Sequence, residues 1–428
     1  MAASPVLAFL LMVRLLRGKS RDGWSERWGH LPVTVTDTRP GKPRIWLHAV
    51  SAGEVVAAIP ILRALKSKLP EHTLLMSVTT PAGHQIAMKQ ASELINGLFY
   101  LPFDFPHVIK RVVRSIHPNL FVCMESELWP NLLHLLKEDG CMVVLANGRK
   151  SERSFLRAKK YASALFKWML SNTDLLLMQS ENDAVRIADL AGISRQSDKI
   201  KVLGNTKFDQ EISQLSTTEV RELQRMYHLP DNCPVLVAGS TRSSEEEAVV
   251  IESFIKIRKS HPDTALVIAP RHISRSEELR QRLCIAGLKP VLRSTLSDSH
   301  PPIHCLVLNT MGELANVYEV ADIAFVGNSF PPVVQGGGQN ILQPLAHGKP
   351  VFVGPHTGSI RTEIEMTQPL GIVFAVQDSD DLACKAVKLL SNKRELEEIA
   401  ARSSNFMKSQ RGVSSQVAEE LCQLIAQK

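Results

Sequence analysis

RIWLHAV at residues 44–50 is an apolar run that ends in a short loop of small residues, SAGE at residues 51–54. Apolar residues at the helical period then continue through about Leu65. The run therefore predicts a strand that is buried on both faces, followed by a helix. A strand, a loop and a helix in this order are the repeating unit of a parallel, doubly wound sheet.

The same alternation recurs along most of the chain. Further strand-like runs before Gly204 are TLLMSVT at 73–79, LFVCM at 120–124, CMVVLA at 141–146, DLLLMQ at 174–179 and KVL at 201–203. A second series begins at Val235, after a polar stretch at 211–225, and continues to about Val376. We therefore predict an α/β protein with two Rossmann-like, doubly wound domains facing a central cleft. Ligands are expected where the carboxyl ends of the strands open onto that cleft.

The domain limits follow from these two series in a chain of 428 residues, which is too long for one ordinary core. We place an N-terminal segment at 1–30, one Rossmann-like domain at 31–212 and the other at 213–428. The first segment contains an apolar run at 6–16 that is interrupted by Arg14 and is shorter than the about 20 residues that a membrane-spanning helix needs.

Cations lie within and after this N-terminal run rather than before it, unlike the order in a secretory signal. The order favours a helix that lies in a membrane interface, with its cations among the headgroups. A core helix is one alternative. An organelle transit peptide is another, because no acidic residue precedes Asp22.

The composition narrows the choice of partners. A formal net charge of +7 favours an anionic partner, such as nucleic acid, acidic lipid or a phosphorylated substrate. Only 5% of the residues are aromatic and no basic run is interleaved with them, so we expect no nucleic-acid partner. The seven cysteines are scattered without a C-x-x-C pair, which favours a reducing compartment over a disulfide framework.

Three strand-end loops of the first domain carry charged residues that could take part in chemistry. Glu54 follows the first strand, Glu125 follows the strand at 120–124, and Lys207 follows the strand at 201–203. On spacing alone, capping of a helix N-terminus is the better explanation of Glu54, and it also competes for Glu125. For Lys207, a solvated lysine and a lysine that meets a phosphate or carboxylate are about equally supported.

The second domain offers three possible anion sites. AGSTR at 238–242 precedes a Glu-rich helix start and resembles a phosphate-binding turn, and Arg271 ends the next strand. The block GGGQNILQP at 336–344 predicts a backbone-lined anion site. No metal site is predicted, since DSDD at 378–381 directly precedes a helix and is better explained by capping.

Taken together, seven ordered motifs resemble those of the 3-deoxy-D-manno-octulosonic acid (Kdo) transferases. They are HAVSAGE at 48–54, ESELWPN at 125–131, GNTKFD at 204–209, APRH at 269–272, MGEL at 311–314, GGQNIL at 337–342 and VGPH at 353–356. They cover nearly the whole chain. The resemblance implies a GT-B fold with an acceptor domain followed by a donor domain, a CMP-Kdo donor, a lipid A precursor as acceptor, and no metal or other cofactor.

The resemblance also implies roles for individual residues. Glu54 matches the general base, and Glu125 and Lys207 match residues that stabilise the transition state. The CMP-binding positions are Pro270, Arg271, Met311, Gly312, Glu313, Asn340, Ile341, Leu342 and Gln343. The family usually has glutamate where this chain has Gln343.

The implied reaction is inverting and metal-independent, and it releases CMP. It would take place at an anionic membrane surface, on the cytoplasmic face of a bacterial inner membrane, with organelle targeting as an alternative. Another GT-B nucleotide-sugar transferase, a UDP-sugar epimerase or an inactive lipid-binding relative would share the two domains and are the competing hypotheses.

Overall fold

A computed structural model of the chain describes residues 22–36, 41–210, 215–297, 300–334 and 336–427. These residues divide into two compact units. The first unit contains the chain up to Gln210 together with residues 410–428, and the second contains Glu211–Ser409. Most of the N-terminal segment at 1–30, including its apolar run, lies outside the described residues.

The first unit is built on a seven-stranded parallel sheet with the order β3-β2-β1-β4-β5-β6-β7. Its strands are β1 Arg44–Ala49, β2 Thr73–Val78, β3 Gly97–Tyr100, β4 Leu120–Met124, β5 Met142–Gly148, β6 Leu175–Met178 and β7 Ile200–Val202. The strand order reverses between β1 and β4, so the loops after these two strands meet at the topological switch point.

Ten helices in the described part of the chain belong to this unit. They are α1 Trp24–Arg27, α2 Val33–Thr36, α3 Ala52–Lys68, α4 Pro81–Gln90, α5 Pro106–Ile116, α6 Pro130–Glu138, α7 Glu152–Tyr161, α8 Ser163–Ser171, α9 Glu181–Ala191 and, after the second unit, α18 Val413–Ala426. None of the helices in the described residues is long and apolar enough to cross a membrane.

The two faces of the first sheet form separate cores, which explains why its strands read as unbroken apolar runs. Trp46 and Phe121 pack on one face with residues of α5 and α6, while Leu47 and Val122 pack on the other face with residues of α3. Alternate residues of one strand therefore enter opposite cores.

The second unit repeats this architecture with the order β10-β11-β9-β8-β12-β13-β14, again fully parallel. The strands are β8 Val235–Thr241, β9 Ala265–Pro270, β10 Val291–Leu292, β11 Cys305–Val307, β12 Ile323–Val326, β13 Val351–Val353 and β14 Val373–Ala375. The switch point lies between β8 and β12. The two doubly wound sheets confirm the predicted fold class.

The α-helices of the second unit in the described residues run in sequence around this sheet. They are α10 Thr217–Met226, α11 Ser244–Ser260, α12 Ser276–Ile285, α13 Leu314–Val317, α14 Leu342–Ala346, α15 Arg361–Thr367, α16 Ser379–Leu390 and α17 Lys393–Ser409. Asp378 caps α16 by accepting the Asp381 N–H at 2.9 Å, as predicted for the acidic stretch at 378–381.

The C-terminal helix α18 packs in the first unit, although the sequence alone groups it with the domain at 213–428. Its apolar face, with Val413, Val417 and Leu421, joins the core beneath α3. The Asp209 carboxylate accepts the Gly412 N–H at 2.6 Å and so holds the start of the helix. The amphipathic pattern predicts a buried face but does not specify which core it enters.

Candidate active site

Glu54 lies in the first turn of α3, directly after the loop that ends β1. Its carboxylate folds back over this loop, where Oε2 accepts the Val50 N–H at 2.7 Å and Oε1 accepts the Ser51 hydroxyl at 3.3 Å. Ser51 in turn caps α3 by accepting the Glu54 N–H. The capping considered from the sequence is therefore present, and it fixes a carboxylate at the switch point of the first sheet.

Glu125 and Lys207 form an ion pair at the same edge of the sheet. The Lys207 Nζ lies 2.6 Å from Glu125 Oε1, and the two side chains are only 21% and 18% exposed. Glu125 follows β4 in the left-handed region, with φ of 56°. This conformation is uncommon for glutamate and is typical of residues that a functional site constrains.

Asparagine side chains hold the turn that carries Lys207. The Asn205 Oδ1 accepts the Lys207 N–H at 3.0 Å, and Asn147 Oδ1, at the end of β5, accepts the Thr206 N–H at 3.1 Å. The turn also packs against α3, which carries Glu54. The loops after β1, β4 and β7 thus bring the three predicted catalytic residues into one part of the first unit.

Burial and neighbouring charge raise the pKa of two carboxyl groups in this site. Burial, followed by the negative charges of Glu125 and Glu127, raises the pKa of Glu54 to about 8, against lowering effects from the Val50 N–H and Lys207. Burial and the charge of Glu125 likewise raise the pKa of Glu127 to about 7. Three carboxyl groups and one ammonium therefore share the site, and a proton is held among them near neutral pH.

Such a site can accept a proton from a substrate hydroxyl. A general base is most effective when its pKa lies near the working pH, and Glu54 fulfils this condition. The Lys207–Glu125 pair supplies a positive charge beside it at a fixed position, which can stabilise negative charge on a reacting group.

In the second unit, four cationic or titratable side chains gather after β8 and β9. Arg242 follows β8, and its Nη2 atom lies 3.2 Å from Nε2 of the His272 ring. Partial desolvation and the like charge of Arg242 lower the pKa of Arg271, and burial and the three arginines lower that of His272. Of these four side chains, only that of Arg275 pairs with a buried carboxylate among the described residues, that of Glu247 at 2.8 Å. The excess positive charge favours an anionic ligand.

Glu246 occupies one backbone donor of the turn that resembles a phosphate-binding loop, the Arg242 N–H, together with three donors of the loop after β12. Its buried carboxylate accepts the N–H groups of Arg242 at 3.0 Å, Asn328 at 2.9 Å, Ser329 at 2.8 Å and Phe330 at 3.2 Å. These donors are therefore not open to a phosphate. The turn contributes through the Arg242 side chain instead, and Glu246 joins the loops after β8 and β12 at the switch point.

The glycine block at 336–338 also differs from the predicted anion site. The Gly337 N–H donates to Val334 O at 3.2 Å and the Gly338 N–H to Asn328 O at 2.5 Å. All three glycines have positive φ, and a Cβ on Gly337 would lie 2.2 Å from His356 O. The prediction of a backbone-lined anion site is therefore wrong for these two N–H groups, because carbonyl groups of the loop after β12 accept them.

The predicted CMP-binding residues lie at the carboxyl ends of β9, β11 and β12 or in the loops that follow these strands. Pro270, Ile341 and Leu342 have buried side chains, so only their backbone could meet a nucleotide. Met311 is exposed, Gly312 has open space around it, and Gln343 is half-buried.

The remaining two positions are held by neighbouring groups. The Glu313 carboxylate accepts the Arg293 Nε–H at 3.0 Å, and the exposed Asn340 uses its Oδ1 to accept the Leu342 N–H at 2.9 Å. Asn340 therefore holds the first N–H group of the short helix α14, while Glu313 is oriented by an arginine that the sequence did not single out.

Sequence reasoning missed four charged residues of these sites. Glu127 was part of a recognised motif but received no role, and Arg275 and Arg293 were not assigned to ligand binding. Arg242 was part of the turn that was predicted to bind phosphate through backbone N–H groups, but its side chain received no role. Arg242 could have been found, because it follows β8 as Arg271 follows the adjacent strand β9. Arg293 could have been found in the same way, because it directly follows β10.

Comparison with known proteins identifies the family. Residues 22–210 match the family described as 3-deoxy-D-manno-octulosonic-acid transferase (kdotransferase). The 3-deoxy-D-manno-octulosonic acid transferase of Haemophilus influenzae is 30% identical over 92% of this chain and 89% of its own length. The Arabidopsis thaliana protein "Probable 3-deoxy-D-manno-octulosonic acid transferase, mitochondrial" is 32% identical over 94% of this chain and 88% of its own.

Structural similarity agrees at the level of the fold. A glycosyltransferase from Rickettsia africae, 16% identical, superposes with a TM-score of 0.62 over 90% of this chain and 99% of its own. The fold is GT-B-like. The matches to the two transferases extend through both units at identities that define a family, so this chain belongs to the 3-deoxy-D-manno-octulosonic acid transferase family.

Proposed function

We propose that this chain transfers Kdo from CMP-Kdo to a lipid A precursor, with inversion, without a metal ion and with release of CMP. The observation that carries the proposal is the placement of Glu54 at the switch point of the first sheet beside the Lys207–Glu125 pair, and its raised pKa, about 8, supports it. A carboxylate base and an adjacent fixed cation are what glycosyl transfer to a hydroxyl requires.

In the proposed reaction, Glu54 takes the proton of the acceptor hydroxyl. The hydroxyl oxygen forms a bond to the anomeric carbon of Kdo as the bond from that carbon to the phosphate oxygen breaks. CMP leaves with the electron pair of the broken bond. Positive charge develops at the anomeric centre, and a single displacement inverts its configuration.

The cation cluster of the second unit suits the leaving group. Negative charge grows on the departing phosphate, and Arg271 and Arg242 supply fixed guanidinium groups that can form charge-assisted hydrogen bonds with it. We propose Pro270, Met311, Gly312, Glu313 and residues 340–343 as the rest of the CMP site. Lys207 is proposed to assist at the sugar.

We further propose that the protein works at an anionic membrane surface, on the cytoplasmic face of a bacterial inner membrane. The segment at residues 1–20 is proposed to contribute an apolar run and three cationic side chains, those of Arg14, Arg17 and Lys19, to this association. Deletion of residues 1–20 should weaken sedimentation with anionic liposomes, and added salt should weaken binding of the intact chain.

Incubation with CMP-Kdo and the lipid A precursor lipid IVA tests the proposed reaction. A product heavier by one or more Kdo units, with matching release of CMP, is expected from the intact chain and not from a Glu54→Gln variant. UDP-sugars serve as the control donors. Turnover with a UDP-sugar and none with CMP-Kdo would replace the proposal with a different nucleotide-sugar activity, and no turnover with either would favour an inactive lipid-binding relative.

A further inference from the structure

Large apolar side chains are concentrated on the outer face of two consecutive helices in the first unit, α7 and α8, which we call the 152–171 helix pair. Its most exposed apolar residues are Leu156 at 57%, Tyr161 at 75%, Leu165 at 45% and Trp168 at 40%. These four are among fifteen exposed large apolar side chains in the described residues, yet they fall within one short stretch of the chain.

The exposure does not result from loose attachment of the helices. Ala158, Met169 and Leu170 are buried in the core of the first unit, and Phe155 and Phe166 pack against that core. The pair therefore has an ordinary inner face in addition to its apolar outer residues. An apolar cluster outside the core of a folded unit is typical of a surface that meets another hydrophobic phase or partner.

The same stretch is strongly basic. Residues 149–171 contain seven lysines or arginines and one acidic residue, Glu152, which gives a formal charge of +6 against +7 for the whole chain. Lys159 pairs with Asp189, whereas no carboxylate among the described residues pairs with Arg153, Arg157 or Lys160. Unpaired cations beside exposed apolar side chains make the surface complementary to an anionic one.

The combination selects an anionic lipid surface as the partner. Leucine side chains gain nothing from stacking on bases, but they and the two aromatic rings can enter the boundary between headgroups and acyl chains. Lysines and arginines next to them are attracted by anionic headgroups.

The helix pair is also continuous with the candidate active site. The Arg149 N–H donates to Glu125 O at 3.1 Å, so the chain passes from the Glu125 loop into α7 within a few residues. The buried Lys150 ammonium lies 4.0 Å from the centre of the Phe166 ring and so ties α8 to the end of β5. A lipid-binding surface here therefore begins within a few residues of the loop contact to Glu125.

We propose that the 152–171 helix pair lies on an anionic bilayer and presents a membrane-held acceptor to the Glu54, Glu125 and Lys207 site. The choice of acceptor rests on the proposed function, whereas the contact with lipid does not. The pair would act in addition to the segment at residues 1–20, so that the chain contacts the membrane at two places.

The test uses the full-length chain and flotation with vesicles of phosphatidylethanolamine and phosphatidylglycerol. The triple variant Arg153→Gln, Arg157→Gln, Lys160→Gln should bind these vesicles at least about tenfold more weakly, because three headgroup attractions are lost. A Leu156→Ser, Leu165→Ser variant should also bind more weakly. The matched controls, Lys259→Gln, Lys388→Gln, Lys393→Gln and the exposed Ile285→Ser in the second unit, should bind normally.

Activity separates this inference from the proposed function. With lipid IVA in detergent micelles the triple variant should turn over as the intact chain does, and with lipid IVA in vesicles it should be slower by a similar factor. Absence of Kdo transfer by the intact chain would overturn the proposed function and leave the vesicle result unaffected. Unchanged vesicle binding of both variants, an equal loss in the controls, or a changed oligomeric state in place of changed binding would overturn the inference.

Discussion

The two candidate sites occupy equivalent places in two similar sheets and carry opposite excess charge. In the first unit, three carboxyl groups share one ammonium, that of Lys207. In the second unit, Arg275 pairs with the carboxylates of Glu247 and Glu278, whereas the guanidinium groups of Arg242 and Arg271 pair with no carboxylate among the described residues. The comparison shows that the switch point of a doubly wound sheet fixes where a site is, while the few residues after each strand decide whether it handles protons or anions.

The carboxylates of the two units show the same contrast. Glu246 is buried and accepts four backbone N–H groups, so its carboxyl group joins two loops. Glu54 accepts one backbone N–H and one hydroxyl and lies near two further carboxyl groups, so its charge is disfavoured. The first arrangement is structural, and the second makes a base.

Removal of the proposed base should have the largest effect. Glu54→Gln keeps the shape of the side chain but cannot accept a proton, so we expect turnover to fall by about 10²–10⁴-fold. CMP binding, which depends on the second unit, should be unchanged when measured by isothermal titration. Near-normal turnover in this variant would show that another group is the base.

Loss of Lys207 should change both the turnover rate and the pKa of Glu54. Lys207→Ala should lower turnover more than it lowers the melting temperature, and it should move the rate profile to higher pH, because Lys207 lowers the pKa of Glu54. The matched control is Lys201→Ala, which removes an ion pair with Glu420 in the same unit. A large fall in melting temperature with an intact rate would instead make Lys207 a structural residue.

The raised pKa of Glu54 predicts opposite effects of pH on rate and on stability. The rate should rise about tenfold per pH unit below about 8 and then level off, as the base loses its proton. The folded chain holds this proton more tightly than the unfolded chain, whose carboxyl has the ordinary pKa of 4.5. Stability should therefore fall as the pH rises from 4.5 towards 8.

Thermal unfolding across this pH range measures the second effect. The melting temperature of Glu54→Gln should decrease less with pH than that of the intact chain, since the variant has no proton to lose. Parallel curves for the two proteins would mean that Glu54 titrates near its ordinary pKa.

In the second unit, truncation of an arginine should weaken CMP binding and leave proton transfer by Glu54 unchanged. Arg271→Ala should weaken CMP binding by about 10- to 100-fold, as is typical for the loss of a hydrogen bond to a charged group. The pH dependence of the remaining activity should not change. Arg280→Ala is the matched control, because Arg280 pairs on the surface of α12 with Glu277. Equal affinities of the intact chain and the Arg271 variant would move the phosphate site away from the cluster.

Most of the fold could be predicted from periodicity, because strands buried on both faces stand out as apolar runs. Among the described residues, every strand except β3 falls within the two predicted series of strand-like runs, and β3 was missed because Gly97–Tyr100 is only four residues long and begins with glycine. The packing of α18 in the first unit was also missed. Its apolar stripe indicates burial, whereas the core that receives it depends on tertiary contacts with α3.

The positions of the site residues could be predicted more readily than their interactions. Residues directly after parallel strands meet at one edge of a sheet, so Glu54, Glu125 and Lys207 could be grouped in advance. Their pairing could not, because it depends on the left-handed Glu125 and on the asparagines that hold the Lys207 turn. The anion-site prediction for the glycine block was wrong for two N–H groups because glycines with positive φ occur both at anion sites and at close packing contacts. Only the observed N–H partners distinguish the two cases.

The smallest expected effect concerns Gln343, the position at which the resemblance expects glutamate. A glutamate there would accept hydrogen bonds from the ribose hydroxyls of CMP as a charged group, and charge-assisted bonds are roughly twice as strong as neutral ones. Gln343 can accept through its amide oxygen but also presents an NH₂ group that needs an acceptor. A neutral side chain in return avoids repulsion of the phosphate and of the Kdo carboxylate.

Gln343→Glu should therefore tighten CMP binding by no more than about 1–2 kcal/mol, or about 5- to 30-fold. The half-buried position of Gln343 on α14 lets the side chain reach a ligand without entering the core. Isothermal titration of both forms with CMP measures the difference, and Gln343→Ala shows whether the position contacts the nucleotide at all. If the alanine variant binds CMP as the intact chain does, Gln343 makes no ribose contact. If Gln343→Ala weakens CMP binding and Gln343→Glu fails to tighten it, the site has adapted to a neutral residue. The affinity of the second unit for the anionic CMP then depends on its arginines alone.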